Sequence, residues 1–364
     1  MEHSLKNSQE KEEKNAEKSV ELAQIFEFAI MVILLNQLEV VLTNDTRKQR
    51  SESLETIRNQ TKKEIDVFIP LLLKESLETL KTSNKQLYDE IPKGMVVPPP
   101  NNKWHKQIEE EFKKYIKSKG LVLNGQPLEE FFTNLCDKQV KKIVEGSTTL
   151  QNAMKESCHI MAQNGVSIVT YPQPNGHAIN RNIDVYVRQQ LLYAQKESTQ
   201  DTRYKIAEEN NVTVFEIDAH ADSRPSHQYW QGRRFDTTGK IYPTFEELSN
   251  GHGGLDDYGC LHRAYPVFNP KSKPAYTLNE LNNINTKPFT YGGIKYTGYE
   301  AKQRMRAYER GIRALKREKM LMEEKGLKSK ILDNKLANEL NAYKSFCNAY
   351  GNYPRNDRIR VVNK

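Results

Sequence analysis

The residues of this chain that could do chemistry are gathered in two stretches. The first is Asp218-Ala-His-Ala-Asp-Ser-Arg-Pro-Ser-His-Gln-Tyr-Trp-Gln-Gly-Arg-Arg-Phe235, and the second is Gly259-Cys-Leu-His-Arg-Ala-Tyr-Pro-Val-Phe268. His220, His227, Cys260 and His262 are four nitrogen and sulfur donors, the number that a structural zinc site takes. Their spacing is irregular and fits no finger pattern. The competing reading is a hydrogen-bonded polar core, in which histidines and arginines tie a loop to a strand end above Trp230. A third reading makes His220, Asp222 and His227 the general-base set of a metal-dependent nuclease or toxin-like enzyme. No defined nucleophile, carboxylate pair or phosphate-cradling glycine loop accompanies them, and the chain has no P-loop, GxSxG or HExxH. No catalytic residue is therefore assigned. No cofactor is expected apart from the zinc alternative.

These residues need a scaffold, and the flanking sequence supplies one. The run Val212–Ala219 reads as a strand that delivers the first stretch. Pro225 opens a short helix with His227 and Trp230 on one face, and Gly232 ends it. Upstream, Asn164-Gly165 stops a helix, Val166–Tyr171 is a β-branched strand, Pro172–Gly176 is a loop, and Ile183–Asn210 is helical. Arg234-Phe235 and Ile241-Tyr242, on either side of Thr-Thr-Gly, suggest a small hairpin, and Tyr265–Phe268 a last strand. Residues 166–268 thus form a small central α/β domain.

Helices surround that domain. Residues 1–91 form an N-terminal helical region. Its first 20 residues alternate charge without apolar anchors and read as a frayed or solvated start. Residues 21–42 are apolar almost all round, so other helices or a partner subunit must cover them. Asn44-Asp45-Thr46 cap a second helix, which Pro70 should kink or break. A Pro-rich linker, 92–102, is stiff and extended. The region 103–165 holds helices over Trp104–Lys119, Pro127–Glu145 and a stretch capped by Ser147-Thr148. A Gly/Pro-rich connection, 269–298, reads as a long exposed loop. In 299–364, Met305, Tyr308, Ile312 and Leu315 mark one amphipathic helix. Leu332, Leu336, Leu340 and Tyr343 mark a second, after a break at Lys325-Gly326. The expected fold class is α+β and mostly helical: long N-terminal helices, a small central α/β domain and a basic C-terminal αα-hairpin.

The charge is uneven. The 364 residues carry a net +8, yet Lys302–Lys364 alone has 17 basic and 7 acidic side chains, so the rest sums to −2. One helix face bears Lys302, Arg304, Arg306, Arg310, Arg313, Lys316, Arg317 and Lys319. Such a face suits phosphates, read without sequence preference, or an acidic protein surface. With 37% hydrophobic and 28% charged residues the chain is too apolar for disorder and too polar for a membrane protein. The uncharged apolar stretch Phe28–Leu38 is too short to span a bilayer, so no membrane span is expected. Four scattered cysteines without a CxxC fit a reducing compartment, and the mixed-charge start is no signal peptide.

The blocks above, in this order, resemble the phage minor capsid protein 2 family of tailed bacteriophages. The resemblance is carried by Gly165-Val-Ser-Ile-Val-Thr-Tyr171, Asn182-Ile-Asp-Val-Tyr-Val-Arg188, Asp218-Ala-His-Ala-Asp-Ser-Arg-Pro-Ser-His-Gln-Tyr-Trp-Gln-Gly232 and Tyr242-Pro-Thr-Phe245. It continues through Tyr258-Gly-Cys-Leu-His-Arg263, Tyr265-Pro-Val-Phe268 and Phe346-Cys-Asn-Ala-Tyr-Gly-Asn-Tyr-Pro-Arg355. The central block is also similar, more distantly, to the head-morphogenesis module of the phage Mu F-like group. Its motif core comprises His220, Ser223, Arg224, Ser226, His227, Trp230, Gly232, Cys260, His262 and Arg263. Members commonly carry Cys-Gly-x-Asn-Cys-x-His in the late loop. Here that reads Asp256-Asp-Tyr-Gly-Cys-Leu-His262, without the first Cys and the Asn. The resemblance implies a minor head protein, present in few copies and joined to the procapsid near the portal protein. It would assemble in the bacterial cytoplasm, end in the virion, and serve head assembly, DNA packaging or ejection. It implies no enzyme.

Overall fold

A helix that is apolar on every side has no face to offer water, and the fold is built around one. The computed structural model describes residues 8–99, 103–118, 120–172, 178–255, 257 and 260–363. Residues 1–7, the last three of the linker (100–102), 119, the loop residues 173–177, Asp256, Tyr258, Gly259 and 364 lie outside these.

In chain order the first helices are α1 (Ser8–Asn15), α2 (Glu17–Thr43), α3 (Arg47–Glu90) and α4 (Lys103–Phe112), the last continuing as a π-helical turn to Ser118. Then come β1 (Leu121–Leu123), β2 (Gln126–Pro127), α5 (Leu128–Val144), α6 (Leu150–Asn164), β3 (Val166–Pro172), β4 (Ala178–Asn182) and α7 (Ile183–Glu209). The remainder is β5 (Val214–Ile217), a 3-10 helix (Pro225–Tyr229), β6 (Arg234–Asp236), α8 (Phe245–Ser249), β7 (Ala264–Pro266), α9 (Leu278–Asn283), β8 (Phe289–Tyr291), β9 (Ile294–Tyr296), α10 (Gly298–Glu324) and α11 (Lys330–Tyr350). The chain is α+β and mostly helical, as its sequence pattern implies.

Helix α2 is the core helix. Ile30, Met31, Leu34, Leu35 and Leu38 are fully enclosed, and Phe26 stacks on Phe68 of α3 at 4.3 Å. By length and apolar content α2 could cross a membrane, but here its apolar side chains pack into the largest hydrophobic cluster of the protein. Thr46 caps α3 by accepting from the Gln49 N–H. Helix α3 does not break at Pro70. The proline faces solvent, where water can reach the carbonyl that loses its partner, while Phe68, Ile69 and Leu72 anchor the turns on either side.

The strands form three small sheets, ordered β2-β1-β3-β4, β6-β5-β7 and β8-β9, and all their pairings are antiparallel. The pair β1-β2 escaped the sequence pattern, because three and two residues are too few to show a period. Gly165, at φ +65°, ends α6 as expected. The α6 cap is Thr149 rather than Ser147-Thr148. The expected hairpin around Thr237-Thr-Gly239 is not one. Asp236 instead gathers the Thr238, Lys240 and Ile241 N–H groups into a tight turn, and β6 pairs only with β5. The 269–298 connection is partly regular: it holds α9 and the β8-β9 hairpin, whose Phe289 and Tyr291 pack on Phe346 of α11.

The N-terminal segment, expected to be frayed over its first 20 residues, is helical over Ser8–Asn15 and docked. Glu12 and Glu13 of α1 are buried, and each finds arginines far along the chain. Glu13 pairs with Arg355 (2.6 Å) and Arg358 (2.5 Å).

Candidate functional site

Strand β5 delivers the chemistry-bearing block, as the sequence predicts. Phe215 and Ile217 anchor it in a second, smaller hydrophobic cluster with Trp230, Phe235, Leu255, Cys260 and Ala264. Beyond Ile217 the chain turns and enters the 3-10 helix at Pro225. Gly232, at φ +69°, leaves it with its backbone against Leu281 of α9, so close that a Cβ would lie 2.4 Å from that side chain. Trp230 is wholly buried and donates its indole N–H to the His252 carbonyl at 3.0 Å.

Around Trp230 lie three histidines. The His227 and His262 rings each sit 4.8 Å from it, and His220 stacks on His262 at 4.4 Å. Burial lowers all three imidazole pKa values: His220 to about 4, with Lys302 adding to the effect, and His262 well below the ordinary value. All three are therefore neutral at pH 7. Burial pushes the Cys260 thiol up to about 11. Cys260 Sγ faces His262 Nδ1 at 3.6 Å, and His262 Nε2 faces Gln231 Oε1 at 3.1 Å. Of the four donors named from sequence, His227, Cys260 and His262 come together, while His220 covers them from one side.

Arg263 is fully buried between Glu12, its ion-pair partner, and Asp218, whose carboxylate accepts the Arg263 N–H at 2.8 Å. Burial lifts Asp218 to about 6 even so. Arg224 is the residue before Pro225, and its carbonyl accepts from His227 N–H at 2.9 Å. Ser223 is buried, and its carbonyl accepts from Gln228. Ser226 is half-buried in the 3-10 helix.

The general-base set does not form. Asp222, at φ +58°, lines the same cavity as both histidines, but its carboxylate accepts from Thr286 N–H (2.8 Å), Thr286 Oγ1 (2.9 Å) and Tyr350 Oη. Those donors take three of the roughly four lone-pair sites of the carboxylate.

Beside this cluster lies a cavity of about 830 Å³. His220 and His227 are on one wall, Lys302 and Arg306 of α10 on another, and Arg355 and Arg358 of the C-terminal tail on a third. The eight cations of the basic helix do not form a common outer face. Arg317 is buried and ion-pairs with Glu27 of α2 at 3.0 Å. Arg313 and Lys316 donate to the Arg358 and Ile359 carbonyls, Lys302 to the Ala221 carbonyl, and Lys319 pairs with Asp333. These contacts clamp helix α10 to α2, α11, the loop after β5 and the tail, so five of the eight are tied within the chain. Arg304, Arg306 and Arg310 remain exposed, with Arg304 over the Tyr308 ring.

Sequence reasoning passed over three residues that hold the site: Glu12, Asp218 and Gln231. Asp218 and Gln231 lie inside the recognised block. Nothing local marks Glu12, whose partner is 251 positions away.

The fold and site are those of a mostly helical protein whose polar centre is spent on joining segments. The profile of the phage minor capsid protein 2 family matches residues 40–348, and the chain belongs to that family. No curated protein and no solved structure matches it.

Proposed function

We propose that this phage structural protein is a portal-associated minor head protein, acting in head assembly, DNA packaging or ejection and not as an enzyme. The family match over 40–348 carries the reading. The site geometry supports its non-catalytic part, because Asp222 and Asp218 are engaged by internal donors. A surface for a head partner is available on α3, where Val67 (60% exposed) and Leu71 (45%) stand one turn apart. Assembly takes place in the host cytoplasm, in keeping with four free cysteines.

The test is to purify heads from phage with and without a functional portal gene and to quantify this chain by mass spectrometry. A few copies per head are expected, and none without portal. Equal incorporation without portal would sink the association. Val67→Asp with Leu71→Asp should fold yet lose incorporation. A second arm incubates purified protein with DNA and RNA plus divalent metal. Cleavage that disappears in His220→Ala/His227→Ala would overturn the non-catalytic reading.

A further inference from the structure

We propose that His227, Cys260 and His262 bind a divalent transition-metal ion of the zinc class, Cys260 as thiolate and His262 through Nδ1. The three buried side chains bring their donor atoms within 4.8 Å of one another. Cys260 Sγ and His262 Nδ1 are 3.6 Å apart. Two ligands at zinc bond lengths of about 2.3 Å (sulfur) and 2.1 Å (nitrogen), set at a tetrahedral angle, also lie about 3.6 Å apart. That pair shares an ion without moving, and His227 closes on it by about 1 Å.

The His262 tautomer is set from outside the donor set. The His220 backbone N–H donates to Gln231 Oε1 at 3.3 Å, which fixes that end of the amide as the acceptor. The same oxygen lies 3.1 Å from His262 Nε2. Nε2 therefore carries the proton, and Nδ1 presents its lone pair to Cys260. Ligating histidines are held in this way by a partner on their far nitrogen. Trp230 and Leu255 supply a dry surround. His220 stays outside the ligand set, stacked on His262 with its Nδ1 3.3 Å from the Ala221 carbonyl.

Loading releases one proton. The Cys260 S–H bond breaks, its proton goes to solvent, and the Sγ–metal bond forms, while the two imidazoles donate lone pairs with no proton change. Water from the cavity that His227 lines takes the fourth position. The ion ties the 3-10 helix after β5 to the segment entering β7.

Untagged full-length protein, purified without chelator, should contain one zinc per chain. Loaded with cobalt instead, it should show a thiolate-to-cobalt charge-transfer band that Cys260→Ser removes. His220→Ala should keep the full metal content. Chelation of the wild type should lower its Tm by several degrees, and added zinc should restore it. Wild-type protein that holds no zinc after reconstitution, or melts alike with and without chelator, overturns the site. So does a cobalt spectrum without the thiolate band, and loss of metal in His220→Ala overturns the ligand set. The chelator comparison uses only the wild type, so it decides even if the cysteine variant does not fold. Failure here leaves the head-protein reading intact, since that is read from virion composition.

Discussion

Asp222 has the left-handed backbone conformation that aspartate tolerates better than most residues, and this aims its carboxylate at three donors on two other segments. It also abuts Gly298, the first residue of α10, where a Cβ would fall 1.8 Å from Asp222 Oδ1. The carboxylate is thus a joint between the 218–236 block, the loop before β8, and helices α10 and α11. Hydrogen bonds to a buried charged acceptor contribute about 1.5–3 kcal/mol each. Asp222→Ala should therefore destabilise the protein by about 3–5 kcal/mol, and Tyr350→Phe, which removes one donor, by about 1.5–3 kcal/mol. Urea unfolding measures both, and an unchanged midpoint for Asp222→Ala would show that the carboxylate joins nothing. The sequence pointed to Asp222 for its neighbours, His220 and His227, and so suggested a base. Its actual partners, Thr286 and Tyr350, lie 64 and 128 positions away, and no local pattern encodes them.

Elements are joined by charges in the same way, and here the sequence was legible in part. The apolar run that becomes α2 shows that the helix is enclosed. It does not show that Glu27, an acid inside that run, meets Arg317 of α10 and the Val166 N–H where β3 begins. Burial outweighs the Arg317 pairing and pushes the Glu27 carboxyl from 4.5 up to about 7, with Asp184 adding to the rise. The folded chain then holds a proton that the unfolded chain has lost between about pH 4.5 and 7, so this group makes stability fall as pH rises through that window. Glu27→Gln removes the dependence. In urea melts the variant should gain on the wild type from pH 5 to pH 7, and parallel pH profiles would refute the assignment. Arg317→Met takes away the cation that lowers the Glu27 pKa, so the carboxyl should keep its proton to higher pH and the fall of stability in urea melts should extend above pH 7. The basic helix was legible as a helix but not as a surface, because periodicity reports which side is apolar and not which cations are used internally. If α10 meets DNA, Arg304→Ala, Arg306→Ala and Arg310→Ala together should flatten the log–log salt slope of binding by about 3. Lys316→Gln, whose amine is tied to Ile359, should leave the slope unchanged. A steep slope in the triple variant would place the contact on other cations.

At the scale of the whole molecule, segments far apart in the chain depend on one another. The largest hydrophobic cluster runs from Ala16, just before α2, through α2, α3, α4, α5 and α6 to Ala194 in α7, and includes Leu315 and Leu321 of α10. Helix α7 continues from that cluster to Ala207 in the one around Trp230. Across the same boundary Glu12 of α1 pairs with Arg263, and the tail returns over α2, where Gln24 exchanges hydrogen bonds with the Arg360 carbonyl and the Val362 N–H. Unfolding the Trp230 cluster alone would strand Glu12 and fray the second half of α7, and unfolding the other alone would strand Arg263. Both carry the cost of a buried charge without its partner. The two tryptophans report on the two clusters separately, Trp104 from the larger and Trp230 from the smaller. In Trp230→Phe and in Trp104→Phe, the remaining tryptophan fluorescence and the far-UV circular dichroism should melt together, since coincident probes mark one cooperative transition. Comparing probes within each variant removes any shift that the substitution itself causes. A gap of more than about 5 °C between probes, with the Trp230 signal melting first, would mean that the site-bearing block is a separate unit that the helices merely carry.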